Sequence, residues 1–340
     1  MTTAIWAILV FCMLIFVHEL GHFLVAKLCK ITVHEFSIGM GPKLIGFTKG
    51  KTAYSVRILP LGGYVKLEGE DSASGDPNAF CNKSAFKRFS VLIAGAFMNV
   101  ILGFLIFVII FSPAPSVETN AVESIMENSA FDNQGIIVGD KIIKMEGDKY
   151  TASIHNSRDV RFFTYINGTN PANITFERDG KIFTKTIKPE MMEGNENPVF
   201  GITGFKYEKN SILTTLKTAY FECLYVIKSV FLSLWWLITG FIPASSMSGP
   251  VAIVGEIGAA AKMGWRYVFN LAAFISVNLG VMNLLPIPAL DGGRILFLLI
   301  EKIRGKKMNS EKEGMINFVF FAILILLMLI VTMSDIKKLF

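Results

Sequence analysis

The sequence predicts a polytopic α-helical membrane protein with about four transmembrane helices, a membrane-associated β-hairpin and one α+β domain outside the membrane. Three observations support this fold class. Hydrophobic residues make up 52% of the 340 residues and charged residues only 18%, which is less charge than a soluble protein of this length carries. The apolar residues are bunched into long runs, and the charged residues are concentrated between those runs.

Four apolar runs are the predicted transmembrane helices. They cover residues 4–26, 89–111, 267–290 and 315–333. Each run has about 19 to 24 residues, enough for a helix to cross a hydrocarbon layer of roughly 30 Å. The first run is interrupted only by His18, Glu19 and His22. It lacks the basic start and the short apolar stretch of a removable signal peptide, so it is expected to remain in the protein.

A fifth stretch, residues 213–242, is ambiguous. It contains Lys217, Glu222 and Lys228, and only its second half, "SVFLSLWWLITGFI", lacks charge. That uncharged half is short for a span, so an interfacial or re-entrant helix is expected. The predicted organisation is an N-terminal membrane half, an outer domain, an amphipathic interfacial segment and a C-terminal membrane half. Their predicted bounds are residues 1–111, 112–205, 206–266 and 267–340.

Basic residues predict the orientation in the membrane. Ten Lys and Arg residues lie within residues 27–88, and six lie within residues 292–314. If there are four spans, these two loops fall on the same side, which the positive-inside rule identifies as cytoplasmic. Residues 112–266 then lie outside. The net charge of +6 is accounted for in this way, so no nucleic-acid partner is expected.

The polar residues of the first run form the sequence HELGH at positions 18–22. Residues four apart on a helix share one face, so His18 and His22 can direct their imidazole nitrogens at one Zn²⁺. Glu19 can then act on a water as general base, the arrangement found in zinc hydrolases. The alternative is that neighbouring helices satisfy these polar groups, but ionisable residues in a membrane are costly and usually functional. The sequence therefore predicts a zinc site in the first span.

A catalytic zinc needs a third protein ligand and one open position. His34 and Glu35 are candidates in the loop that leaves the first span. Asp291, in "MNLLPIPALDGGR", is the stronger candidate because Pro286 and Pro288 break the helix before it and free backbone groups. In a membrane such irregular backbone is tolerated only where protein or water satisfies it. The alternative for Asp291 is a simple Asp-Gly turn at a helix end.

Several segments together resemble one protein family. HELGH in the first span is combined with "NLLPIPALDGG" at the end of a later one, and with "FSIGMGPKL", "ILPLGGYVKLEGE" and "SGPVAIVGEIG" at residues 36–44, 58–70 and 248–258. This set resembles the site-2-type intramembrane zinc metalloproteases of family M50, of the bacterial regulator-of-sigma-E protease (RseP) type. The resemblance implies Zn²⁺ held by His18, His22 and Asp291, with Glu19 activating water.

The same resemblance implies a location and a substrate class. It implies a multi-pass protein of the bacterial cytoplasmic membrane with its active site toward the cytoplasm. The expected substrates are transmembrane segments of single-span proteins, such as pre-trimmed anti-sigma factors and remnant signal peptides.

The segment "SAFDNQGIIVGDKIIKMEGDKY" at 129–150 resembles the stretch of a PDZ domain in which a Gly-Asp turn leads into a strand. Residues 112–205 have room for one PDZ-like domain, whereas the better-studied members of the family carry two. The domain is expected on the extracytoplasmic side, where backbone N–H groups could capture the free C-terminus of a trimmed substrate. The family implies that such a domain restricts access for untrimmed substrates.

The stretch "YSVRILPLGGYVKLEGE" predicts two strands around a turn at "PLGG". The edge of this hairpin, at Gly62 and Gly63, could dip into the membrane and pair with an unwound substrate by strand addition. The alternative is a cytoplasmic hairpin without substrate contact. The predicted hairpin region covers residues 36–70.

The resemblance also implies substrate contacts in the last third of the chain. It matches Asn278, Asn283, Pro286 and Pro288 to family positions linked to substrate holding. Amide side chains can hold an extended backbone because they offer both donor and acceptor atoms.

Two other function classes deserve comparison with a protease. One is a catalytically silent membrane scaffold or chaperone that acts through the PDZ domain, but such a relative would be expected to lose a ligand or the glutamate. The other is a metal transporter, for which repeated halves and polar residues in several spans are expected. The second apolar run is uncharged and no internal repeat is visible, so an active protease is favoured.

Overall fold

The chain forms two compact units in a computed structural model. The structure describes residues 2–70, 72, 74–148, 150–191, 198–241, 243, 247–306 and 310–339. One unit contains Met1–Ile110 together with Glu222–Phe340, and the other contains Phe111–Phe221. The helices are α1 (Thr2–Leu28), α2 (Ala85–Phe111), α3 (Ala130–Asn133), α4 (Ser157–Asn167), α5 (Ile212–Ile238), α6 (Pro250–Met263), α7 (Trp265–Asn283), α8 (Asp291–Arg304) and α9 (Ser310–Leu339). The strands are β1 (Val33–Lys49), β2 (Thr52–Leu67), β3 (Ser116–Ile125), β4 (Lys141–Glu146), β5 (Thr151–Ser153), β6 (Ala172–Arg178), β7 (Lys181–Ile187) and β8 (Ile202–Lys209).

Four helices of the described residues are long and apolar enough to cross a membrane. They are α1 from Thr3, α2, α5 and the Glu311–Lys338 part of α9. Three of them coincide with the first, second and fourth predicted runs. In α9 no residue of the most apolar 18-residue window is buried by protein. An apolar surface of that length belongs in lipid rather than in water, so the chain is a membrane protein.

The third predicted span is wrong in its extent. Residues 267–290 are predicted as one helix, but α7 ends at Asn283. The following residues leave the helical path because Pro286 and Pro288 lack a backbone N–H and cannot continue the helix. α7 has 19 residues but is not among the four helices of the described chain that are both long and apolar enough to cross a membrane.

The helix within residues 213–242 is longer than the uncharged stretch from which a short interfacial helix is predicted. The uncharged stretch is the second half of α5, whose 27 residues are long enough to cross a membrane. Lys217, Glu222 and Lys228 lie within the same helix. The two lysines are exposed and Glu222 is buried by protein. Because a lysine can extend its charged head while its stem remains in apolar surroundings, these charges did not confine the helix to its uncharged half.

The β-hairpin is present, but its turn is not where the sequence predicts it. β1 and β2 pair antiparallel and are joined at Gly50 and Lys51, whereas "PLGG" lies inside β2. The register gives the reason: the segment from Glu35 to Ile38 pairs with residues 63–66 and a second time with residues 53–56. β2 therefore bends at "PLGG", where Gly62 has φ +80°, and passes on both sides of β1.

The outer part of this sheet is apolar on its surface. Exposed large hydrophobic side chains of β1 and β2 are Met40, Leu44, Ile45, Phe47, Val56, Ile58 and Leu59. Clustered exposed apolar side chains mark a surface that contacts lipid or protein. The sheet therefore has a surface suited to contact with lipid or with another protein.

A buried apolar cluster positions the end of α1 in the first unit. Its residues come from α1, β1, β2, α2 and α8, and from the links between them: Ala26, Ile31, Val33, Leu67, Phe80, Val91, Leu92 and Leu298. Burial of each large side chain contributes roughly 1.5 to 3 kcal/mol. The cluster thereby fixes the elements that carry the polar residues of the first span.

The second unit is a six-stranded sheet with two short helices. The strand order is β7-β6-β4-β3-β8, with β5 paired to β4, so β8 is an edge strand of the sheet as described. The largest fully buried side chains of its core include Phe131, Phe163 and Phe176. Asn156 is the N-cap of α4, and its side chain accepts a hydrogen bond from the Asp159 backbone N–H, as is usual for a helix N-cap.

The Gly-Asp pair of the predicted turn has a structural role in this unit. Gly139 has φ +104°, a conformation that suits glycine. The fully buried Asp140 carboxylate accepts hydrogen bonds from Arg178 Nε at 2.6 Å and Nη2 at 2.7 Å, and from the Ile137 backbone N–H at 3.0 Å. Burial alone would raise the pKa of Asp140, but the Arg178 and Ile137 hydrogen bonds hold that pKa below its ordinary value. The stability that Asp140 contributes is therefore present at neutral pH and lost as the pH falls through the lowered pKa.

Candidate metal centre

Side chains from α1 and α8 meet at one point of the first unit. His18 and His22 lie one turn apart on α1, and Asp291 is the first residue of α8. His18 Nε2 is 3.2 Å and His22 Nε2 is 3.3 Å from Asp291 Oδ2, and the two Nε2 atoms are 3.2 Å apart. Within the part of the chain that the structure describes, no other group of three His, Cys, Asp or Glu side chains converges in this way.

The triangle of these three atoms has the size that a tetrahedral zinc ion requires. Bonds of about 2.0 to 2.1 Å place neighbouring ligands of such an ion roughly 3.3 to 3.4 Å apart. Asp291 Oδ2 is also a buried acceptor without a hydrogen bond of acceptable geometry among the described residues, so a cation would satisfy it. Three protein ligands leave the fourth tetrahedral position open, which is the arrangement of catalytic zinc sites.

α2 orients both imidazoles. His22 Nδ1 lies 2.8 Å from the Val91 backbone oxygen, so Nδ1 carries the proton and Nε2 keeps its lone pair. Asn99 Nδ2 lies 3.3 Å from His18 Nδ1, and Asn99 Oδ1 is buried without a hydrogen bond to any described residue. Turning the amide by half a turn, a choice made by hydrogen-bond logic, lets Oδ1 accept the Nδ1 proton and frees Nε2 of His18 as well. Such contacts fix the tautomer of metal-binding histidines.

α1 and α2 approach so closely that glycine is required at two positions. A Cβ on Gly95 would lie 2.3 Å from His22 Nε2 and 2.8 Å from His18 Nε2. A Cβ on Gly21 would lie 2.4 Å from the Ala94 backbone oxygen. Neither glycine is predicted from the sequence as a site residue. The available signal was their place inside long helices, where glycine is unfavourable unless close packing requires it.

Asp291 is delivered by an irregular loop between α7 and α8. Gly292 and Gly293 lie directly against this loop, since added Cβ atoms would be 2.1 Å from the Leu285 backbone oxygen and 2.4 Å from the Ile287 backbone oxygen. Ala289 adopts φ +74°, the left-handed region that is unusual for a residue other than glycine. The two glycines after Asp291 are therefore a packing requirement, which the motif alone did not explain.

A cavity of about 310 Å³ opens at the three candidate ligands. Its lining residues are His18, Glu19, His22, Gly63, Tyr64, Val65, Leu67, Glu70, Val91, Leu92, Ala289, Leu290, Asp291 and Arg294. Glu19 packs against the sheet, because a Cβ on Gly63 would be 2.9 Å from Glu19 Cγ. The arrangement places a carboxylate, an open ligand position and a strand edge around one cavity.

The structure brings only some of the predicted substrate residues to this cavity. Gly63 lines it, whereas Gly62 faces Met40, whose Cε would be 2.5 Å from an added Cβ. Asn278 and Asn283 lie on α7, and Asn283 is the last residue of that helix. Pro286 is exposed and Pro288 buried in the loop that follows. These four residues are not part of the cavity lining.

His34 and Glu35, the other candidate ligands, are engaged elsewhere. His34 Nε2 lies 2.5 Å from Glu68 Oε2. Glu35 binds Arg57 at 2.8 Å and accepts a hydrogen bond from Ser55 at 2.6 Å. Burial raises the pKa of Glu35, but hydrogen bonds from Ser55, Tyr64 and Arg57 outweigh it and lower the pKa to about 2. Both residues therefore stabilise the β1–β2 sheet.

Two ion pairs that the sequence analysis did not identify hold α8 in place. Arg294 lies one turn beyond Asp291 in α8. Its Nη1 pairs with the carboxylate of Glu70, which lies just after β2. Arg88 of α2 binds both carboxylate oxygens of Glu301, at 2.9 and 3.1 Å. Paired guanidinium and carboxylate groups of this kind restrict geometry as well as contributing energy. The helix that starts at Asp291 is thereby fixed to the sheet and to α2.

Comparison with known proteins identifies relatives over almost the whole chain. Residues 6–327 match the sequence model of peptidase family M50. A relative from Clostridium acetobutylicum, named as a zinc metalloprotease, is 42% identical over 330 residues, covering 97% of this chain and 96% of the relative. "Zinc metalloprotease RasP" of Geobacillus kaustophilus is 31% identical over 415 aligned residues, 98% of this chain and 97% of the relative. "Regulator of sigma-W protease RasP" of Bacillus subtilis is 30% identical over 422, 99% of both chains.

Replacing Gly95 by Ala should disrupt the metal centre. The added Cβ would lie 2.3 Å from His22 Nε2, so the imidazole must leave the position in which it faces Asp291. We expect at least about tenfold weaker zinc binding, the lower end of the loss caused by disturbing residues around metal ligands. The measurement is zinc per chain after dialysis of the detergent-purified protein against a graded chelator.

Gly255→Ala is the matched control, because it is also a glycine-to-alanine change inside a helix and its Cβ would meet no atom within 4 Å. Equal zinc retention in the Gly95→Ala and Gly255→Ala proteins would contradict the assigned packing around the two imidazoles.

Proposed function

The chain belongs to peptidase family M50 and is a zinc metalloprotease of the membrane, and from that premise we propose that it cleaves transmembrane segments of single-span proteins within the bilayer. The observation that carries this proposal is the triangle of His18, His22 and Asp291 atoms, 3.2 to 3.3 Å on each side. Two of its members lie in a helix apolar enough to span a membrane. We assign these three residues as the zinc ligands.

The proposed chemistry is hydrolysis of a peptide bond in the cavity. Bound zinc supplies polarisation of the scissile carbonyl and a lowered pKa for the attacking water. Glu19 takes the proton of that water and later passes it to the leaving amine. Val91 and Asn99 keep the Nε2 lone pairs of both imidazoles directed at the ion by binding the opposite ring nitrogen.

The β2 segment at residues 63–66 is the proposed binding edge for an unwound substrate. A peptide bond in a transmembrane helix must be extended before attack, and each unpaired backbone group in lipid costs several kcal/mol. Residues 63–66 pair with β1 on one side, and Gly63, Tyr64 and Val65 line the cavity on the other. Pairing with this edge would satisfy the extended substrate while presenting it to Glu19.

Asn278, Asn283, Pro286 and Pro288 are proposed to contact the substrate beyond the cavity. Asn283 and Pro286 lie where α7 ends and the loop that leads to Asp291 begins. A substrate strand leaving the cavity along this loop would meet an exposed proline and an amide that can donate and accept.

The second unit is proposed to be a PDZ-like domain that regulates access. It has a groove of about 240 Å³ between α4 and the chain entering edge strand β8, lined mainly by Val160, Thr164, Val199, Phe200 and Ile202. An apolar groove beside an open strand edge suits an extended peptide that adds to the sheet. The proposed ligand is the free C-terminus of a trimmed substrate.

The proposed location is the bacterial cytoplasmic membrane, with the active site toward the cytoplasm. When α5 replaces residues 267–290 as the third crossing, the basic residues 27–88 and 292–314 remain on one side, as the positive-inside rule requires. The second unit then lies outside. The name of the Bacillus subtilis relative, a regulator of sigma-W, supports pre-trimmed anti-sigma factors as substrates, together with remnant signal peptides.

Glu19→Gln should separate a protease from a scaffold. Removing the general base should slow cleavage of a co-expressed single-span protein by at least about 100-fold, while zinc content stays at the wild-type level because Glu19 is not a ligand. Fragment formation is followed on immunoblots with tags on both sides of the span. Cleavage at the wild-type rate would rule out the assigned role of Glu19.

A photo-crosslinking side chain at Val65 should capture the substrate beside the scissile bond. In the Glu19→Gln background the substrate stays uncut, and we expect crosslinks from position 65 to the few residues around the cleavage site. Phe47 is the control position because it is exposed on the same sheet but belongs to β1 and pairs with Tyr54. Crosslinks of equal yield from both positions, or none from position 65, would contradict edge pairing.

The groove of the second unit should discriminate free C-termini. An apolar peptide with a free carboxylate should bind the full-length protein in detergent about tenfold more tightly than its C-terminal amide, since charge-assisted hydrogen bonds contribute about 1.5 kcal/mol or more. Fluorescence anisotropy measures both affinities, and Thr164→Trp should block both peptides by filling the groove. Equal binding of acid and amide would refute carboxylate capture.

A further inference from the structure

α9 is apolar along most of its length but has polar contacts at its two ends. Residues 318–331 carry only hydrophobic side chains, and the flanking part contains Asn317 and, toward the other end, Asp335. Asp335 is buried and accepts hydrogen bonds from the backbone N–H groups of Gly249 at 3.2 Å and Ala252 at 3.0 Å. Asn317 is half-buried although its neighbours in the helix are exposed. A polar side chain on an otherwise lipid-facing helix usually binds a partner segment.

The partner of Asn317 is the loop that delivers Asp291. Asn317 Oδ1 accepts a hydrogen bond from the Ala289 backbone N–H at 3.1 Å. Ala289 is the residue with φ +74°, a conformation that an alanine adopts only when its surroundings enforce it. An N–H that pairs with a side chain of a separate helix supplies such an enforcing contact.

Backbone hydrogen bonds connect the part of the loop around Ala289 to the first turn of α8, which contains Asp291. The Leu290 N–H bonds to the Ile287 oxygen at 3.1 Å, and the Gly293 N–H bonds to the Leu290 oxygen at 3.1 Å. The first turn of α8 packs on the loop at van der Waals contact, as the closeness of Gly292 and Gly293 to its carbonyls requires. Ala289 and Asp291 therefore belong to one rigid segment that α9 holds through a side chain.

We propose that Asn317 is a positioning residue of the metal centre: by fixing Ala289 it holds Asp291 Oδ2 within bonding range of the ion that His18 and His22 share. This inference rests on the proposed assignment of Asp291 as a ligand. It gives the last span a function beyond anchoring, since α9 becomes the support of the third ligand. The Arg294–Glu70 pair also holds the first turns of α8, so two separate contacts restrain the segment that contains Asp291.

The test compares zinc affinities of purified full-length variants by competition with a chromophoric chelator. Asn317→Leu removes the acceptor and keeps a similar size in an apolar setting, and we expect zinc binding about 10- to 100-fold weaker. Asn317→Asp keeps an oxygen acceptor and should stay within about threefold of wild type. Thr332→Val is the matched control, because the hydrogen bond that the Thr332 hydroxyl donates goes to Met328 of its own helix and its loss should leave affinity unchanged.

Two further measurements separate positioning from general loosening of α9. The visible spectrum of the Co²⁺-substituted protein should lose tetrahedral intensity in Asn317→Leu but not in Thr332→Val, since only the first change displaces a ligand. Ala289→Gly added to Asn317→Leu should restore part of the affinity, because glycine adopts a positive φ without the side-chain penalty. If Asn317→Leu does not fold, Asn317→Ser carries the same expectation, since its shorter side chain cannot reach the Ala289 N–H.

Asp291→Ala distinguishes failure of this inference from failure of the proposed function. If Asp291→Ala weakens zinc binding and both Asn317→Leu and Asn317→Ser bind as wild type, the positioning role is wrong and the ligand assignment stands. If Asp291→Ala also binds zinc as wild type, the ligand assignment itself is wrong. Weakening in Asn317→Leu with recovery in Asn317→Asp supports the proposal.

Discussion

The meeting of Asp291 with His18 and His22 is the contact on which the architecture of the first unit depends. Three ionisable side chains are gathered within 3.3 Å of one another, in a helix apolar enough for a membrane and at the start of another. Ionisable groups in such surroundings are expensive, and a shared cation compensates them best. The remaining features of the first unit hold the α1 and α8 segments, which are distant in the chain, next to each other.

Each segment is held by contacts of its own. On the α1 side, the absence of a side chain at Gly95 lets α2 approach until Val91 and Asn99 touch the imidazole rings. On the α8 side, the chain does not remain a helix, because Pro286 and Pro288 cannot continue α7 toward Asp291. The chain forms an irregular loop at the prolines. Asn317 and the Arg294–Glu70 pair hold this loop and the start of α8 in place. The proposed metal centre depends on this division between a regular helix and a supported irregular loop.

In the proposed function, the sheet beside the metal centre meets a second requirement of hydrolysis in lipid, which is pairing of the unwound substrate. Helical substrates protect their own peptide bonds, and an unwound segment has no water with which to pair. β2 lies on both sides of the Glu35–Ile38 part of β1, with Gly63, Tyr64 and Val65 at the cavity. Phe47, farther along β1, is exposed at the surface of the sheet. One element thus combines an apolar exterior with a polar edge. In the proposed function, the groove of the second unit applies the same principle to the free end of a peptide.

From sequence alone, the apolar runs and the HELGH spacing determined the membrane class and both histidines, because helix periodicity and span length are local properties. Asp291 followed from the broken helix and from family resemblance. The tertiary structure decided what local patterns cannot contain: the end of α7, the full length of α5 and the turn at Gly50 instead of "PLGG". It also decided the supporting roles of Gly95, Asn99 and Asn317. Their significance arises only when segments far apart in the chain are packed to within hydrogen-bond distance.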